Sequence, residues 1–334
     1  RVEYLAAENF ARATQDHARQ CHPANHMKTI YLDHAATTPV DPRVVEAMVP
    51  FFSETFGNPS SFHQMGMAAK DAVTGARRSI ARILHAHEDE ILFTSGGTES
   101  DNLAIVGTVR AYGLSGRPHM VTSAVEHHAV LEPLLYLKKS GEIDLTILPV
   151  DRHGMVSVRE VVSAIGPATI LVSIMYANNE IGTIEPIAEV GRAILRHRHA
   201  TASVFPLFHT DACQAAGVLS LDVEKLHTDL LTMNGSKIYG PKGIGTLFVR
   251  RGVRIEPMIR GGGQERGIRS GTEHVAGIVG LAHALTLAQD EREQENARLL
   301  SLRDQLIKGL LRIPKTILNG HAIARLPNNV NMSF

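Results

Sequence analysis

Cysteine is scarce: Cys21 and Cys213 are the two in 334 residues. Two cannot build a disulfide framework, so a reducing, cytoplasmic setting is expected. There is no excess charge of either sign, with Lys+Arg and Asp+Glu equal at 34 each. Nucleic acids and membrane surfaces require a basic field, so neither is an expected partner. No run of about 18 apolar residues exists that could form a membrane-spanning helix. Residues 1–26 lack the apolar stretch of a secretory signal. Histidines are numerous at 18, but none falls into a metal-ligand spacing such as HExxH, and no metal is expected.

What is present is a chain rich enough in apolar residues, at 44%, to bury a large core, and long enough for two domains. Residues 1–26 are polar and without clear periodicity. Met27, followed by KTIYLD, has the character of a natural start, so 1–26 read as an extension, with a helical arm as the alternative. Residues 30–33 read as a strand. A helix is expected over 41–52, with Pro42 in its first turn. Another is expected over 65–84, with Ala68, Ala72, Ala76 and Ile80 at four-residue intervals.

Strands and helices then alternate. Strands are expected over 90–94, 119–123, 145–150, 169–176 and 204–210. Helices are expected over 103–112, 129–139, 158–165 and 187–197. Such alternation predicts an α/β fold with a mainly parallel sheet covered on both faces. Ligands in such folds bind beyond the carboxyl ends of the strands. A glycine-rich polar loop spans 261–272, and one long helix over 275–303 is predicted to join two domains. A last strand pattern follows at 330–334.

Three features carry chemistry. The stretch TMNGSKIYGPKGIG, 232–245, places Lys237 in a turn between two short apolar strands. Its glycines at 235, 240, 243 and 245 would permit close approach to a ligand. Such a lysine suits an imine-forming amine, although taken alone it could equally be a solvated loop lysine. SGGTESDN, 95–102, follows a strand and precedes a helical pattern. Backbone amides at Gly97 and Thr98, a hydroxyl and a helix dipole suit one phosphate. A capped helix without ligand is the plainer alternative. Finally, His127, Asn178, Asn179, Asp211 and Gln214 fall at expected strand ends. A lysine, an aspartate, a flat histidine, amides and a phosphate cradle are together the parts of a pyridoxal-phosphate (PLP) site.

At this point the sequence resembles a known family, the cysteine desulfurases of the NifS/IscS type, which are fold-type I class V aminotransferase relatives. The likeness covers 27–334 through YLDHAATTP, FGNPSS, TSGGTESDN, EHHAVL, NNEIG, DACQAAG, KIYGPKGIG and GGGQERGIRSGT. The resemblance implies a seven-stranded-type sheet in a large PLP-binding domain over 45–290. It also implies a small α+β domain from 27–44 and 291–334, incomplete at its C-terminus. Lys237 then matches the Schiff-base lysine and Cα proton shuttle, and Asp211 the partner of the pyridine nitrogen. Gln214 matches the donor to the ring hydroxyl, and His127 the imidazole stacked on the ring. Thr98 with the Gly97 backbone matches the phosphate cradle. Asn179 matches the asparagine beside cofactor and substrate carboxylate. Thr272 matches the threonine that reaches the phosphate of a second subunit, implying a homodimer.

The chain departs from the family pattern in places. Asn234-Gly-Ser236 stands where Ser-Gly-His is common; both replacements can hydrogen-bond, so a phosphate contact is expected here from either Asn234 or Ser236, with Ser236 taken as the cofactor-binding residue. Cys213 stands where small or hydroxyl residues are common, and reads as a buried core residue. The family's sulfur-accepting cysteine and its carboxylate-gripping arginine have no match up to Phe334. The resemblance therefore implies a C-terminally truncated desulfurase that converts L-cysteine to L-alanine and a persulfide, with little activity in this chain. An iron–sulfur scaffold or thiolation protein would take the sulfur. A selenocysteine lyase, another class V enzyme, or a non-catalytic PLP-binding paralogue remain as alternatives.

Overall fold

The computed structural model describes residues 30–113 and 116–334. The reading of 1–26 as an extension lies outside them. Ala35–Phe334 forms one compact unit. Its centre is a seven-stranded sheet: β1 (Ile91–Thr94), β2 (His119–Ser123), β3 (Asp144–Leu148), β4 (Thr169–Ser173), β5 (Leu207–Asp211), β6 (Leu230–Asn234) and β7 (Gly245–Val249). The spatial order is β1-β7-β6-β5-β4-β2-β3. The pairs β2–β3, β2–β4, β4–β5 and β5–β6 are parallel. Strand β7 runs antiparallel to both β6 and β1. Two reversals cancel, so β1 points the same way as β6, and the six strands other than β7 end on one edge.

The strands are apolar on both sides, as covered parallel strands must be. Alternate residues divide between two cores. Ile91, Phe93, Val121, Val172, Phe208, Leu231 and Phe248 belong to one cluster. Leu92, Met120, Leu171, Leu207, Leu230 and Leu247 belong to the other. This period of two follows from the pleat, which sends successive side chains to opposite faces. Helices α1 (Gln64–Leu84), α2 (Ile187–Thr201) and α3 (Val275–Asp290) cover the first face through residues such as Val73, Ile80, Val190, Ile194, Ile278 and Leu285. Helices α4 (Gly97–Tyr112) and α5 (His128–Lys139) cover the second with Leu103, Ile105, Val130, Leu134 and Leu137.

Several local expectations are corrected. Residues 30–33 are not a strand; Ile30 and Leu32 are exposed at 75% and 85%, with no described strand pairing to hold them extended. The helix expected over 41–52 breaks into Pro42–Met48 and Pro50–Ser53, because Pro50 has no N–H to continue the ladder. The helix placed at 103–112 begins six residues earlier, at Gly97, so TESDN is helical. The single helix over 275–303 is two, Val275–Asp290 and Arg292–Leu310, with Glu291 between them.

Candidate active site

The shared strand edge opens into a cleft of about 310 Å³. The candidates arrive there from five strand ends. Beyond β1, Gly97 and Thr98 open helix α4. Beyond β2, His127 caps helix α5, its Nδ1 accepting from the Ala129 amide at 3.1 Å. Beyond β4 comes Asn179, at the end of β5 Asp211 followed by Gln214, and beyond β6 Ser236 and Lys237. All eight line the one cleft. Thr272 does not; it is exposed at the end of the 261–272 loop.

The floor is acidic and largely buried. Asp211 is 7% exposed, and its Oδ1 accepts from the Cys213 amide at 2.8 Å. Lys237, half-buried above it, makes no ion pair among the described residues. Burial, chiefly, pushes the His127 imidazole below its ordinary value, so the ring is neutral near pH 7. Since Nδ1 accepts a hydrogen bond, the neutral ring carries its proton on Nε2.

The phosphate end is a helix N-terminus without a side-chain cap. Its first amides therefore lack intrahelical partners and suit an anion. Gly97 is required there, since a Cβ would lie 2.7 Å from the Cys213 Sγ. Glu99 would repel an anion, but Arg269 Nε holds its carboxylate at 2.8 Å, and the Ser95 amide donates to it at 2.7 Å. The turn glycines serve packing more than ligand approach. Cβ atoms at Gly235, Gly240 and Gly245 would meet the backbone of Pro241, Gly235 and Gly96 at 2.6, 2.9 and 2.6 Å.

Gln214 lines the cleft, but its Nε2 donates to the Ala35 carbonyl at 2.9 Å, which engages one of its two N–H groups. Ser236 Oγ donates to Asn234 Oδ1 at 3.3 Å.

Sequence reasoning missed Asp101, Glu126 and Lys242. The Lys242 Nζ donates to the Thr38 carbonyl at the cleft wall. Asp101 lies one helical turn into α4, is 1% exposed, and leaves Oδ1 without a hydrogen-bond partner. Burial first, and then the Asp211 charge, raise its carboxyl well above the ordinary range. Its place within TESDN looked like a polar loop, so nothing local marked it as buried.

Glu126 ties two strand ends together. Its Oε1 accepts from Ser123 Oγ at 2.6 Å and from the Met175 amide at 2.9 Å. Burial, chiefly, raises this carboxyl to about 8. The folded protein thus keeps a proton that the unfolded chain loses near pH 4.5. The stability tied to that proton is complete below about 4.5 and is lost as pH rises through about 8. His209, fully buried against Ser173 and Thr232, is held down to about 4 by burial. A lowered base acts in the opposite sense, and its stability is lost as pH falls from about 6.5 through 4. Glu126→Gln should therefore flatten the decline in stability between pH 6 and 8.5, by a few kcal/mol at most, and with it the decline in Tm. Thermal melts across that range test this; an unchanged slope rejects it.

The fold and this cleft have known relatives. The aminotransferase class-V profile matches residues 30–334. This chain belongs to the class-V aminotransferase family. The cysteine desulfurase IscS of Methanosarcina thermophila is 52% identical over 92% of this chain and 74% of its own length. A solved NifS-like protein superposes with a TM-score of 0.86 at 40% identity, covering 91% of this chain and 81% of that one. A structure of SspA in complex with cysteine superposes at 0.73 with 41% identity, over 77% and 72%. Class-V aminotransferases depend on PLP, and this chain is a class-V aminotransferase of the cysteine desulfurase group.

Proposed function

We propose that the cleft binds PLP and removes sulfur from L-cysteine, giving L-alanine and a persulfide on an acceptor thiol. The observation that carries this reading is the convergence of Lys237, Asp211 and His127 on one cleft with an uncapped helix N-terminus. The residues fit the group: a buried carboxylate for a ring nitrogen, an amine in reach of the same space, and open amides for a phosphate. PLP, when bound, supplies an electron-accepting ring that takes up the charge released at the substrate Cα.

Lys237 Nζ holds the group and moves the proton on and off Cα. Asp211 keeps the ring nitrogen protonated. The neutral His127 ring would lie against the bound group, its Nε2–H available for proton transfer. The Gly97 and Thr98 amides and the Thr98 hydroxyl would hold the phosphate, joined by the Ser236 hydroxyl when it turns from Asn234. Asn179 and Gln214 orient the substrate carboxylate and the ring hydroxyl. An acceptor thiolate attacks the substrate sulfur, the C–S bond breaks, and reprotonation yields alanine. Thr272, exposed outside its own cleft, reaches the phosphate of a second copy in a homodimer. An iron–sulfur scaffold or thiolation protein then takes the persulfide sulfur.

Cys213 is not the acceptor. It is 6% exposed beneath Gly97, and burial, chiefly, pushes its thiol well above the ordinary range. A neutral, enclosed thiol is a poor nucleophile. Cys213→Ser should leave PLP binding and alanine formation intact while a buried hydroxyl costs about 1–3 kcal/mol of stability. Loss of alanine formation in a folded C213S protein counts against this assignment. The test of the function itself is PLP binding by purified protein, followed by alanine formation from L-cysteine with a thiol acceptor added. A protein that takes up no PLP rejects the reading.

A further inference from the structure

Residues 319–331 wrap a buried cation. Arg325 is 2% exposed and makes no ion pair among the described residues. Its Nε donates to the His321 carbonyl at 3.0 Å, Nη1 to Asn329 Oδ1 at 3.1 Å, and Nη2 to the Asn319 carbonyl. Arg303, 9% exposed, donates from Nη1 to the carbonyls of Arg325 and Leu326, both at 3.2 Å. Burial and the Arg303 charge both oppose the Arg325 cation. An unpaired buried charge is costly, so the surrounding acceptors must converge on it. The guanidinium fork thereby sets the shape of the segment.

That segment is bonded along its length to the turn carrying Asn179. The Ile184 amide donates to the Ala324 carbonyl at 2.9 Å, and the Leu326 amide to the Gly182 carbonyl at 2.8 Å. Thr183 and Arg325 form an antiparallel bridge. Asn329 Nδ2 and Asn331 Nδ2 both donate to the Glu180 carbonyl, at 3.0 and 3.1 Å. The approach is as close as glycine permits: Gly182 has φ +71°, and a Cβ there would lie 2.5 Å from Asn329 Oδ1. On the inner side, Asn178 Oδ1 accepts from the Glu180 and Ile181 amides, both at 2.9 Å. Its Nδ2 donates to the Val125 carbonyl at 3.0 Å, two residues before His127.

We propose that Arg325, acting through Asn329, is a positioning residue that holds the 178–184 turn and thereby aims Asn179 into the cleft. The inference rests on the reading of the cleft as a PLP and amino-acid site. The phosphate cradle at Gly97 and Thr98 belongs to a different strand end and shares none of these bonds. Arg325 therefore governs substrate affinity and leaves cofactor affinity alone.

Two measurements test this on the full chain, with Arg325→Lys and Asn329→Ala. Lysine keeps the charge but lacks the fork, and N329A removes one arm, so neither depends on the survival of a fully stripped site. The first measurement is hydrogen exchange read by mass spectrometry, which needs no cofactor. Amides in 178–184 should exchange at least about tenfold faster in both variants, a local opening that spares the 92–100 peptide. Unchanged exchange in 178–184, or equal acceleration in 92–100, overturns the proposal. The second is L-cysteine affinity, read from the absorbance of the PLP-loaded protein, in a cycle of N329A with Asn179→Ala. Each single change should weaken cysteine binding by about fivefold to tenfold, with the double variant no weaker than either, as expected for residues acting as a unit. PLP affinity should stay at the wild-type value in N329A. Multiplied losses in the double variant, or a loss of PLP affinity in N329A, overturn it. If wild-type protein takes up no PLP, the functional reading fails, while the exchange result still decides whether Arg325 holds the turn.

Discussion

Lys237→Ala is expected to abolish alanine formation from L-cysteine, lowering the rate by at least about a thousandfold. On the proposed reading two roles fall on the one amine, holding the cofactor and moving the Cα proton, and no other described residue is placed to take over both. Lys242 also lines the cleft, but its Nζ is engaged by the Thr38 carbonyl, behind the wall. The strands β6 and β7 on either side of the turn keep their pairing without the lysine side chain, so the variant should fold and melt as the wild type does. Borohydride reduction of the PLP-loaded wild type, followed by peptide mapping, should place the pyridoxyl group on Lys237. A label on Lys242, or activity in the alanine variant, would sink the assignment.

Asp211→Ala should weaken PLP binding by about 3–5 kcal/mol, the cost of leaving a buried charge without its partner. That corresponds to an affinity loss of roughly two to four orders of magnitude. The ring can relieve part of the cost by shedding its proton, so the absorbance band should move as well. One complication is local: Asp211 Oδ1 also accepts the Cys213 amide, and alanine would orphan that donor. Asp211→Asn separates the two effects, since it keeps an acceptor for the amide but no charge for the ring. Asn should restore thermal stability without restoring PLP affinity or spectrum. A D211N protein with wild-type affinity and an unmoved band would mean that the charge has no role.

The strands from β1 to β7 were legible because each is a short, mainly apolar run set apart by turn residues or a helical pattern. Lys237 was legible because glycines bracket it. The start of α4 was not, since Thr98, Glu99, Ser100, Asp101 and Asn102 are polar and favour turns as readily as first helical turns. Burial of Ser100 and Asp101 comes from β1 and β6 closing over them, which no local pattern records. The break at Glu291 was equally hidden, because neither proline nor glycine marks it.

By itself, the sequence determined the α/β class, the order of the elements and the chemical types available at each strand end. These follow from periodicity and turn chemistry, which act over a few residues. Only the tertiary structure decided that the ends of β1, β2, β4, β5 and β6 meet at one cleft. It also decided that Asp101 and Glu126 are buried, which raises both carboxyls, and that residues 319–331 are hydrogen-bonded to the Asn179 turn. The physical reason is the same in each case. Strand order, burial and the bonding of residues 319–331 to the 178–184 turn are set by contacts between segments far apart in the chain, through buried apolar surface and satisfied polar groups, not through local preference.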